Sequence, residues 1–153
     1  MDNDDLISTL NDLIETSRDG EQGFRTCAED ASERSPELKA MLAARQRECA
    51  AAVRELQDLV RAHGGDPARH GSVSASMHRA WVGVKTAITG KDDETVLSEC
   101  ERGEDSAVES YREALDQIAL PADVRAVVER QYQGVLRNHD QIKMLRDQAR
   151  RTS

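Results

Sequence analysis

The sequence predicts an all-α fold: a four-helix bundle with a long, helix-containing crossover between its second and third helices. Three observations predict it. Three prolines and nine glycines leave the 153 residues rich in uninterrupted Ala, Leu, Glu, Arg and Gln, which favour helix. Four stretches repeat apolar residues at helical spacing. Of the connections between them, two are short and the middle one is long. The length fits a single domain over residues 1–153.

The first helix is expected over about 4–33, with Leu6, Leu10, Leu13, Ser17, Glu21, Phe24 and Ala28 on one stripe. Ser35-Pro36-Glu37 supplies an N-cap, a first-turn proline and an acidic first turn for the second, over 36–63. That helix stops at Gly64-Gly65, and its stripe is Leu38, Met41/Leu42, Arg45, Glu48/Cys49, Ala52, Leu56 and Leu59. Asp92-Asp93 suits the start of the third, over 92–118, with Leu97, Cys100/Glu101, Glu104, Val108, Tyr111, Leu115 and Ile118 inward. Pro121 opens the fourth, over 121–149, which carries Val124, Val128, Tyr132 or Gln131, Val135, His139, Ile142 and Leu145. The last few residues are expected to fray.

Short links at Ser32–Ser35 and Ala119–Leu120 make two antiparallel hairpins. The long link from Gly64 to Lys91 predicts that the second and third helices run parallel. Within it, Met77, Trp81, Val84 and Ile88 form one apolar stripe, so a crossover helix is expected over about 74–88. Trp81 is expected to anchor that helix to the bundle, and a ligand-facing patch of His78 with Trp81 is the lesser alternative.

Composition excludes several classes. The formal charge is −8, and scattered arginines make no basic face for nucleic acid. No apolar run nears the roughly 20 residues of a membrane span, and the acidic N-terminus is unlike a signal peptide, so no membrane insertion is expected. Cys27, Cys49 and Cys100 are far apart and form no CxxC, which suits a reducing cytoplasm. No phosphate loop, Ser-His-Asp arrangement or zinc spacing is present. Asp92 to Asp116 carries ten acids and two bases, while Asp123 to Arg151 carries seven bases and four acids, so neighbouring helices can pair along their flanks.

Ionisable residues interrupt the apolar stripes at Glu21, at Glu48 beside Arg45, at Glu104 with Glu101 one turn earlier, and at His139. Each lies near mid-helix, so they are expected inward at one level, where buried charge must be paired or metal-bound. Helical bundles hold two metal ions with a Glu from each of two helices and a Glu-x-x-His from each of the other two. Here both latter motifs are halved: Ala51 follows Glu48 where His is needed, and Leu136 precedes His139 where Glu is needed.

The segments Asn11-Asp12-Leu13-Ile14-Glu15, Asp19-Gly20, His78-Arg79-Ala80-Trp81, Glu99-Cys100-Glu101-Arg102-Gly103-Glu104-Asp105 and His139-Asp140-Gln141-Ile142-Lys143 resemble an uncharacterised bacterial family. That family is a domain of unknown function placed in the ferritin-like superfamily. The resemblance covers nearly the whole chain; it implies a ferritin-like bundle and brings no established activity.

Two accounts of the inward acids follow. The favoured one is a buried salt-bridge network in which Arg45 or Arg47 stands where a metal would sit. The other is a residual metal site of Glu21, Glu48, Glu101, Glu104 and His139 binding iron or manganese. Tyr111 is expected as a core aromatic with a satisfied hydroxyl, and Cys100 as unreactive. The functional expectation is a non-enzymatic, cytoplasmic bundle without cofactor, acting as a homo-oligomer or with an unnamed protein partner, in a structural, interaction or stress-related role. The alternative is a metal-dependent oxidoreductase or metal-handling protein.

Overall fold

The computed structural model describes residues 2–31, 34–67, 81, 83–116 and 119–152. The described chain is all-helical, with α1 Asn3–Ala31, α2 Pro36–Ala62, a short α3 Val84–Ile88, α4 Asp93–Asp116 and α5 Ala122–Thr152. Caps fall where short polar residues precede helices. Asp2 Oδ1 accepts from Asp5 N at 2.8 Å, Ser35 Oγ from Leu38 N at 3.3 Å, and Asp92 Oδ1 from Thr95 N at 3.0 Å. None of the described helices is long and apolar enough to cross a membrane.

Side-chain contacts fix the directions. Asn3 at the start of α1 donates to the His63 carbonyl just past the end of α2, so these two are antiparallel. Along α4, Glu94, Glu101 and Tyr111 meet Arg150, Arg146 and Gln131 of α5 in descending order, so these are antiparallel too. Arg45 of α2 meets Glu104, and further along α2 Glu55 meets Gln131, which holds Tyr111. Helices α2 and α4 therefore run parallel, as the long link requires.

Two boundaries differ from expectation. The crossover helix does not run unbroken to Ile88, because Gly83 takes a left-handed backbone (φ 77°) and α3 begins afresh at Val84. Residues 74–80, with His78, lie outside the described residues. Helix α5 runs past the expected 149 to Thr152, its end tied by Arg150 to Glu94 at 2.8 Å and by the Thr152 hydroxyl to the Gln148 carbonyl at 3.3 Å.

The apolar stripes bury two separate clusters. One gathers Leu6, Leu10, Leu13 and Ile14 with Val53, Leu56, Val60, Tyr111, Val124 and Val128. The other gathers Phe24, Cys27 and Ala28 with Leu38, Leu42, Val96, Leu97, Cys100, Ile88 and Ile142. Between them, at mid-height, lie the buried polar residues Glu15, Ser17, Asp19, Arg45, Glu104, Gln131 and Asn138.

Trp81 closes the second cluster. Its indole meets Phe24 edge-on, with ring centroids 5.1 Å apart at 66°. It also lies against two helical glycines: a Cβ added at Gly23 would come within 2.2 Å of the ring, and one at Gly103 within 2.1 Å. Only glycine at both positions lets α1 and α4 admit the ring.

Candidate functional site

The polar layer is built around Arg45. Its helix position turns the long side chain inward, where its residue is 7% exposed, and the guanidinium lies 5.6 Å from the Phe24 ring centroid. Nη2 donates to Glu104 Oε1 at 3.2 Å and Nη1 to Glu48 Oε2 at 3.3 Å. The second Glu104 oxygen accepts from Asn138 Nδ2 at 3.2 Å. Both oxygens of the 1% exposed Glu104 are thus committed to fixed donors.

Burial pushes the Glu104 carboxyl above its usual range, against the pull of Arg45 and Asn138. Burial also works against the charge on Arg45, but the Cys49 sulfur and the Glu104 and Glu48 carboxylates outweigh it and hold the guanidinium protonated. Burial raises the Cys49 thiol to about 12, so it is an inert neighbour at neutral pH. The Cys100 thiol is pushed well up by its hydrogen bond with Cys27 and by burial.

A second hydrogen-bond chain runs outward from the same layer. The Ser17 and Tyr111 hydroxyls lie 3.4 Å apart, Tyr111 donates to Gln131 Oε1 at 2.8 Å, and Gln131 Nε2 donates to Glu55 Oε1 at 3.1 Å. Glu55 ends the chain at the surface, paired with Arg130. A cavity of about 310 Å³ adjoins Arg45, Glu104, Tyr111 and Gln131. Its wall includes Ala51, Ala52 and Ala107 with Gly134 of α5, residues too small to fill the space between the helices.

The residues singled out from sequence do not all come together. Arg45, Glu104 and Tyr111 meet in the layer, and Trp81 borders it. Glu21 is only partly buried and pairs with Arg25 at 3.7 Å. The Glu48 side chain is 61% exposed and reaches the layer only through Arg45, while Arg47 is exposed. Glu101 and His139 lie together on the α4–α5 flank, Glu101 paired with Arg146 and His139 Nε2 2.5 Å from Asp105 Oδ1. One ligand atom from each of Glu101, Asp105 and His139 can be chosen so that all lie within 4.8 Å of one another.

Sequence reading missed Asn138, Asp19 and Glu15 as buried polar residues and Asp105 as a partner of His139. Asn138 had a legible signal. It lies seven residues after Gln131 and four before Ile142, on the stripe that α5 buries. Asp105 is one turn after Glu101, within reach of the same flank.

Residues 5–117 match the family described as Domain of unknown function (DUF2383), and the chain belongs to that family. Among curated proteins, none matches it.

Proposed function

From membership of a family without an assigned role, we propose that this chain is a single ferritin-like four-helix domain in which an arginine has taken the place of a di-metal centre. It acts through association, as a homo-oligomer or with a protein partner, and not through turnover. The observation that carries the reading is Arg45 at the centre of the bundle, donating to Glu104 at 3.2 Å. A di-metal centre needs several carboxylates and imidazoles with free lone pairs facing one point. Here the one buried glutamate among the candidate ligands has both oxygens accepting from Arg45 and Asn138. Glu21 lies toward the surface paired with Arg25, Glu48 lies toward the surface and shares Arg45 with Glu104, and His139 faces the flank. That donor set does not fit two metal ions. A guanidinium supplies the positive charge the buried carboxylate needs, with fixed geometry and no exchange.

Metal analysis tests the reading. Protein from cells grown with added iron and manganese, purified without chelator, is expected to hold no stoichiometric metal that depends on Glu104. Near-stoichiometric iron or manganese that disappears on Glu104→Ala would overturn it.

A further inference from the structure

The geometry points to a divalent transition-metal site on the α4–α5 flank, formed by Glu101, Asp105 and His139 and separate from the polar layer. Glu101 and Asp105 are one turn apart on α4, so both carboxylates project from one side of that helix. Antiparallel α5 brings His139 opposite them, with Nε2 already 2.5 Å from Asp105 Oδ1. The three ligand atoms lie within 4.8 Å of one another, so small rotamer changes bring them around one ion.

The donor types decide the metal class. One imidazole nitrogen with two carboxylate oxygens suits Zn²⁺ or Mn²⁺, and the nitrogen disfavours Mg²⁺ and Ca²⁺. Three protein ligands leave further coordination positions for water. The exposures suit an exchangeable ion: the Glu101 and His139 side chains are 16% and 20% exposed, and that of Asp105 is 61% exposed. Local charge also favours a cation. A groove of about 610 Å³ leads from Asp105 and His139 past Glu109, Glu113 and Asp116, and Arg112 is the one arginine or lysine lining it among the described residues. Arg146, held by Glu101 and Asp147, is the internal competitor that the ion must displace from Glu101.

Calorimetric titration of the full chain with Zn²⁺, in excess Mg²⁺, tests the site. The expected result is one Zn²⁺ per chain, with affinity falling roughly tenfold or more in Asp105→Asn and in His139→Gln. Glu113→Gln, which removes an equal charge from the same groove, is expected to change affinity by less than about twofold, since it alters only the long-range field. Arg146→Gln, which frees Glu101, is expected to tighten binding. Circular dichroism of each variant verifies that the helices are intact. The imidazole resonances of His139 should shift on addition of Zn²⁺ to the unsubstituted chain, a readout that needs no variant to fold. Zn²⁺ binding that survives His139→Gln undiminished, no binding in the presence of Mg²⁺, or a His139 resonance that stays in place would each overturn the proposal. Failure here leaves the Arg45 reading untouched, because that reading depends on metal held by Glu104.

Discussion

Glu104 and Asp105 are adjacent in sequence and inhabit opposite environments. Glu104 is 1% exposed and held by Arg45 and Asn138, whereas the Asp105 side chain is 61% exposed and faces His139. A single helical step of about 100° separates them. Inside, an acid must meet fixed donors, because an uncompensated charge there costs several kcal/mol, on the order of 3–5. On the flank, water shares the solvation, so the acid can exchange its partner for another cation at little cost. The same chemical group is therefore a structural fixture at one position and an adaptable ligand at the next.

Perturbations of the interior should be large. Trp81→Ala removes the ring packed against Phe24, Gly23 and Gly103 and should cost about 3–5 kcal/mol in denaturant unfolding. A change within error would mean that the indole contributes nothing to closing the second cluster. Gly103→Ala tests the same packing from the other side. Its Cβ would meet the indole at 2.1 Å, and since a ring cannot yield as a flexible side chain does, a cost of about 1–3 kcal/mol is expected. Tyr111→Phe keeps the ring but removes the donor to Gln131, for an expected loss of about 1 kcal/mol.

The surface should respond weakly and with the opposite pH dependence. Burial alone would raise the Glu55 carboxyl, but hydrogen bonds from Arg130 and Gln131 outweigh it and hold it below its ordinary range. A carboxyl depressed in the folded state contributes stability above its unfolded value, about pH 4, and loses it as pH falls through the folded value. Glu55→Gln should therefore flatten the acid limb of the stability–pH curve slightly, with a neutral-pH cost of only about 0–1 kcal/mol. Glu104 has the reverse sign. Raised by burial, its carboxyl is best tolerated at low pH and penalises the fold as pH rises from the ordinary glutamate range. Parallel pH series on Glu55→Gln and Glu104→Gln should diverge in slope, and identical slopes would erase the distinction drawn between inside and surface.

The helices were legible because their signals are local. Ser35-Pro36, the apolar repeats and the Gly64 stop each act over a turn or less, and α2 begins and ends within a residue of the expected bounds. The parallel course of α2 and α4 was legible from link length alone. Helix faces were harder. On α2 the expected stripe held Arg45 and Leu56, which are buried, and left Glu48 or Cys49 open, of which Cys49 is buried, but it took Ala52 and Leu59 where Val53 and Val60 are buried. On α5 it took His139 where Asn138 is buried. Both errors are one-residue rotations, which hydrophobic periodicity resolves poorly where Ala, Cys and polar residues mix. That rotation is what carried Glu48 and His139 from the centre to the outside. The arginine at the centre was legible because a buried glutamate demands a cation, whatever the helix rotation.

The most direct measurement of the central claim is a double-mutant cycle on Arg45 and Glu104, read by denaturant unfolding of Arg45→Met, Glu104→Met and the pair. Each single change should cost about 3–5 kcal/mol by stranding its partner in the core, and the double change should cost well below the sum. Additive losses, or a mild Arg45→Met beside a Glu104→Met that releases bound iron or manganese, would contradict the account.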